Sequence, residues 1–73
     1  MKERFYKYLK NYLEEYDDPR KGDESFIHGR ANYAANVFEA EKRAGTIAPY
    51  EVAIYVLMEG LEKETDQDDE DNG

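Results

Sequence analysis

The 73-residue chain has no cysteine, a single histidine, only two prolines and too few bases to balance its acids. Without cysteine there is no disulfide, no thiolate metal ligand and no thiol nucleophile. One imidazole, that of His28, excludes any site that needs two. No stretch approaches the ~18 consecutive apolar residues of a membrane span. The basic opening MKERFYKYLK lacks the apolar run that a signal peptide places after such a start. From these absences we expect a cytoplasmic protein with no membrane association.

What is present fits one small domain. Hydrophobic residues make up 40% of the chain and charged residues 38%, so the core must be thin. Residues 1–61 carry 11 acids against 9 bases, whereas residues 62–73 carry 7 acids against one base. We therefore expect a nearly neutral helical domain over 1–63 and a disordered acidic tail over 64–73, which has no apolar residue.

Three helices follow from apolar spacing. Phe5, Tyr8, Leu9, Tyr12, Leu13 and Tyr16 recur with the period of one helical face and predict a first helix over about 3–16. Asp17-Asp18-Pro19-Arg20-Lys21-Gly22 reads as a polar turn, since Pro19 biases Asp18 away from helical angles. A second helix is predicted over 24–44, with Asp23 as its N-cap and Gly45 just past its end. Ile27, Ala31, Ala34, Ala35 and Phe38 form one apolar stripe, and Phe26, Tyr33, Val37, Ala40 and Ala44 a second beside it. A helix apolar over so much of its surface belongs at the centre of the domain. Gly29 weakens it by about 1 kcal/mol relative to alanine, which implies a backbone crossing nearby or a loose first turn. After Thr46-Ile47-Ala48, Pro49 opens a third helix over 49–63, with Gly60 weakening its last turn. The fold class is thus all-α, a three-helix domain with core residues Phe5, Leu9, Tyr12, Leu13, Ile27, Ala31, Ala34, Phe38, Ala53, Ile54, Leu57 and Leu61.

No spacing in the chain supports catalysis. His28 falls on the polar side of the second helix, with no nucleophile placed beside it. Glu39, Glu51, Glu59 and Glu62 lie on solvated faces, where nothing raises a carboxyl pKa. Asp68-x-Glu70-x-Asn72-Gly73 imitates the start of a calcium loop, but the later ligands are missing. We expect no enzyme activity, no catalytic residue, no metal, no cofactor and no small-molecule substrate.

Two surfaces stand out. Arg30 lies within the broad apolar arc of the second helix, either snorkelling at its rim or paired with Glu51, Glu59 or a partner's carboxylate. Val52, Tyr55 and Val56 lie off the main apolar face of the third helix. One thin core does not cover all of this apolar area, so Arg30, Val52, Tyr55 and Val56 are the candidate partner surface, for a homodimer or a helical protein partner. Arg4, Lys7 and Lys10 form a candidate basic face on the first helix, the basis of a lesser reading as a nucleic-acid-related accessory factor. A sequence pI near 4.5 opposes that reading at long range.

The sequence Phe26-Ile27-x-x-Arg30-Ala31-x-x-Ala34-Ala35-x-x-Phe38-Glu39, then Gly45, then Glu51-Val52-Ala53-x-x-Val56-Leu57-Met58-Glu59-Gly60-Leu61 resembles a small helical family, a domain of unknown function carried on bacterial conjugative transposons. Tyr8-Leu9-x-x-Tyr12-Leu13 resembles that family's opening helix. The resemblance covers about residues 5–61. It implies an all-helical fold and a mobile-element setting, and no activity, cofactor or catalytic residue.

Overall fold

The apolar period of the first segment is realised as helix α1, Lys2–Glu15. The structure, a computed structural model, describes residues 1–72, with side chains described through Leu61. No base lies in the last turn of α1 to offset the helix dipole. Its end is instead secured by backbone bonds: Asp17 N–H donates to Glu14 O (3.2 Å) and Asp18 N–H to Leu13 O (2.8 Å). This is a Schellman motif with aspartate, not glycine, in the left-handed position, at φ 52°. Pro19 explains it. Pro19 holds Asp18 extended, at ψ 137°, so the reversal has to be completed one residue earlier.

Pro19–Gly22 then form one 3-10 turn. The Asp18 carboxylate accepts from the Arg20 backbone N–H (2.8 Å), from its Nε (3.0 Å) and from its Nη2 (2.9 Å). These bonds hold the Asp18 carboxyl below its usual range. The Arg20 guanidinium also stacks over Phe26, 5.4 Å from the ring centre, tying the turn to the next helix.

Helix α2 is Glu24–Arg43. Asp23 caps it, its Oδ1 accepting from Phe26 N–H at 3.1 Å. At the far end Gly45 takes φ 81°, with Gly45 N–H on Lys42 O (3.1 Å) and Thr46 N–H on Glu41 O (3.0 Å), the same motif with its usual residue. Helix α3 is Pro49–Asn72. Its backbone is helical beyond the expected end at 63. The side chains of the acidic segment, including the calcium-loop imitation at 68–73, and the disorder expected there lie outside the described residues.

Helix α2 packs along both neighbours, while α1 and α3 meet far less, so the second helix is central as its two stripes require. Phe5, near the start of α1, stacks on Tyr50 at the start of α3 (5.2 Å between ring centres) and lies 6.3 Å from Phe38, late in α2. The helices therefore run up, down and up. The buried core is Phe5, Leu9, Leu13, Ile27, Ala31, Ala34, Ala53, Leu57 and Leu61, all expected. Tyr12, Phe38 and Ile54 were expected inside but are only partly buried, packed against this set. Among the described residues there is no strand.

Gly29 departs from one of its two expected readings, a backbone crossing nearby. It is helical and exposed, and nothing lies within 4 Å of where its Cβ would be. No backbone crosses there. Gly29→Ala therefore gains helix propensity at no steric cost. It is expected to add about 0.8–1 kcal/mol of stability, read as a rise of several degrees in the circular-dichroism melting midpoint.

Candidate functional site

Arg30 does not reach a carboxylate among the described residues. Its Nη2 donates to the backbone carbonyl of Val56 at 2.8 Å, the carbonyl that faces the Gly60 N–H in the ladder of α3. Its guanidinium also lies over the Tyr33 ring, 5.1 Å from the centre. Gly60 is buried, and a Cβ there would overlap Cζ, Nη2 and Nε of Arg30, all closer than 3.0 Å. Gly60 is thus the notch that admits the guanidinium to the backbone of α3. Nε is buried with no hydrogen-bond partner among the described residues, so the cation is seated by packing and one strong bond. The sequence offered a rim position or an ion pair with Glu51, Glu59 or a partner's carboxylate. The structure gives a third outcome, a cation laid on a helix backbone.

This divides the four residues of the expected partner surface. Arg30 and Val56 belong to the α2–α3 seam. Val52 and Tyr55 instead line a shallow apolar groove with Thr46, Ile47, Ala48 and Glu51, where the link from α2 turns into α3. Tyr55 is 67% exposed, and Ile47 fully so. Ile47, read from sequence only as part of a link, is the residue that reading missed. The Thr46 hydroxyl donates to the Glu41 carboxylate at 2.6 Å. This satisfies the corner with a polar contact and leaves Ile47 projecting with nothing to cover it. Ala48, Glu51, Val52 and Tyr55 follow the i, i+3, i+4, i+7 spacing of one helical stripe, so the groove runs along about two turns of α3.

The basic face of α1 is largely engaged within the chain. Lys10 Nζ pairs with Glu24 Oε2 at 2.8 Å, and the Arg4 guanidinium lies 4.8 Å from the centre of the Tyr50 ring. Lys7 lines a cleft with Lys2, Glu3, Tyr6 and His28. Tyr6 stacks on His28 (4.5 Å between centres) and donates its hydroxyl to Glu24 Oε1 at 2.6 Å. His28 Nε2 lies 3.6 Å from the same Oε1. Placing His28 on the polar side of its helix was sound, but this cross-helix cluster of Tyr6, Lys10, Glu24 and His28 was not legible. It depends on how α1 and α2 are rotated against each other.

Glu24 gathers that cluster. The hydrogen bond from Lys10, then that from Tyr6, hold its carboxyl below the usual range, while the bond to Glu24 raises both Lys10 and Tyr6. A carboxyl depressed in the folded state stabilises fully above its unfolded pKa, about 4.3 for glutamate, and that contribution is lost as pH falls through the lowered value. Lys10, being raised, loses its share only as pH rises through its own elevated value. Glu24→Gln is therefore expected to flatten the fall in melting temperature between pH 6 and pH 3. Parallel wild-type and variant curves would show that Glu24 does not couple folding to acid.

Among the described residues no cluster of three His, Cys, Asp or Glu side chains is placed to hold a metal ion, and no helix is long and apolar enough to cross a membrane. Residues 3–65 match a protein family described as a domain of unknown function. No curated protein and no solved structure matches the chain.

Proposed function

The chain belongs to that family, DUF1896, and from its geometry we propose that it is a protein-interaction module without catalytic chemistry, its contact face being the corner between α2 and α3. The observation that carries this is Ile47. It is fully exposed beside Val52 and the outward-facing Tyr55 in one apolar groove. A contiguous apolar patch on a small domain marks an interaction site, and tyrosine with aliphatic neighbours suits the centre of an interface. The nucleic-acid reading has less support, because two of its three bases, Arg4 and Lys10, are engaged by Tyr50 and Glu24. The resemblance noted above adds a setting, an accessory protein of a conjugative transposon acting in the cytoplasm.

The test is site-specific photocross-linking in the host cell, with benzoylphenylalanine at position 47 and, as control, at exposed Asn36 on α2. We expect a discrete protein adduct from position 47 that disappears when Tyr55→Ser is added, and none from position 36. No adduct at 47, or the same pattern from both positions, would overturn the proposal.

A further inference from the structure

We infer that the occupant of the corner groove is a basic amphipathic helix of another protein. This rests on the reading of the corner as an interaction face and adds the chemistry of what it takes. The groove's apolar members, Ala48, Val52 and Tyr55, follow one stripe of α3 with Ile47 at its end. Two exposed turns of that kind match a partner helix that presents its own i, i+3, i+4 and i+7 anchors.

Charge decides the sign of the partner's flanks. The lining contains a carboxylate, Glu51, and no lysine or arginine. A second carboxylate, Glu41, is bonded to the lining residue Thr46. Two bases precede the corner: Lys42 is turned onto the Phe38 ring, 5.4 Å from its centre, and Arg43 is exposed but is not part of the groove's lining. The helix that carries the groove continues as backbone to Asn72, through a segment with 7 acids and one base. A helix laid in the corner therefore meets apolar surface beside the carboxylates of Glu51 and Glu41, on a chain with an excess of acids. A second copy of this chain would bring the same Glu51 and the same acidic segment, like sign against like, on a molecule of net charge −8. Lysine or arginine flanking an apolar stripe gains on both counts, in affinity and in rate of encounter.

The experiment measures fluorescence anisotropy of the full chain with two labelled helical peptides of about 18 residues. They share one leucine stripe and carry lysine or glutamate at every other position. The lysine peptide is expected to bind at least tenfold tighter than the glutamate peptide and to weaken as salt rises. Ile47→Ser with Tyr55→Ser leaves the charge unchanged and removes only exposed apolar area. It should weaken the lysine peptide at least tenfold, with the circular-dichroism spectrum preserved. If the double variant binds the lysine peptide as the wild type does, the acidic segment alone holds it and the inference is wrong. Equal binding of both peptides, or a dimer in sedimentation that the double variant abolishes, would overturn the basic partner while leaving the interaction face standing. Failure of both peptides to bind would overturn the inference as well, and cross-linking at position 47 then decides separately whether the face itself survives.

Discussion

Phe5→Ala is expected to leave most of the chain unfolded at 25 °C or, at the least, to lower its melting midpoint by 15 °C or more. Phe5 is fully buried and joins all three helices at one end of the bundle, stacked on Tyr50 and tilted against Phe38. Phe38 and Tyr50 also meet edge-on, 6.3 Å apart, so the three rings support one another. Truncating a buried phenylalanine costs about 3–5 kcal/mol. A domain of sixty-odd residues has roughly 3–9 kcal/mol in all. Alanine is the best helix former, so α1 loses nothing locally and the whole effect is tertiary. Phe5→Leu, which keeps most of the apolar volume, should lose much less. A Phe5→Ala variant melting within about 5 °C of the wild type would show that this junction does not hold the helices together.

The second large effect is a reversal of sign. Gly29→Ala and Gly60→Ala are the same substitution in two helix interiors, each gaining about 1 kcal/mol of propensity. At Gly29 nothing opposes that gain. At Gly60 the new methyl occupies the space of the Arg30 guanidinium, which has to leave the Val56 carbonyl. A hydrogen bond to a charged group is worth about 1.5–3 kcal/mol, so Gly60→Ala should destabilise the wild type on balance. In an Arg30→Ala background the notch is empty, and the same substitution should stabilise. Urea denaturation of the four proteins of this cycle reads the coupling, expected at about 2–3 kcal/mol. Additive effects, or a stabilising Gly60→Ala in the wild type, would show that the arginine does not depend on the notch.

These two sites illustrate what was legible in the sequence. Phe5, Leu9 and Leu13, then Ile27, Ala31 and Ala34, are core positions because their spacing is that of a helix face, and the structure buries them all. Asp23 and Gly45 act as the cap and the left-handed terminator that their chemistry favours. Arg30 was marked as a cation in need of a partner, yet its partner was not identifiable. Every residue carries a carbonyl, so composition does not single out Val56. The one clue was Gly60, which reads as a weak last turn until a side chain from α2 is seen to fill its place. Asp17 was hidden for a related reason. Aspartate takes the left-handed conformation only occasionally, so its identity alone does not mark Asp17 as the terminator of α1. Ile47 lay in a short link, where apolar periodicity has no meaning. The exposure of Tyr33, at 50%, and of Ala40 and Ala44 agrees with the expectation that a thin core leaves part of the second stripe uncovered.

The central claim concerning the molecule is that the fold does not use the apolar surface at the α2–α3 corner for its own stability. The direct test is the thermal stability of the Ile47→Ser, Tyr55→Ser double variant. A surface substitution away from packed groups usually changes stability by about 0.5 kcal/mol or less, so with two of them the melting midpoint is predicted to stay within about 8 °C of the wild type. A fall of 10 °C or more would mean that Ile47 and Tyr55 hold the domain together, and the corner would not be a surface kept for a partner.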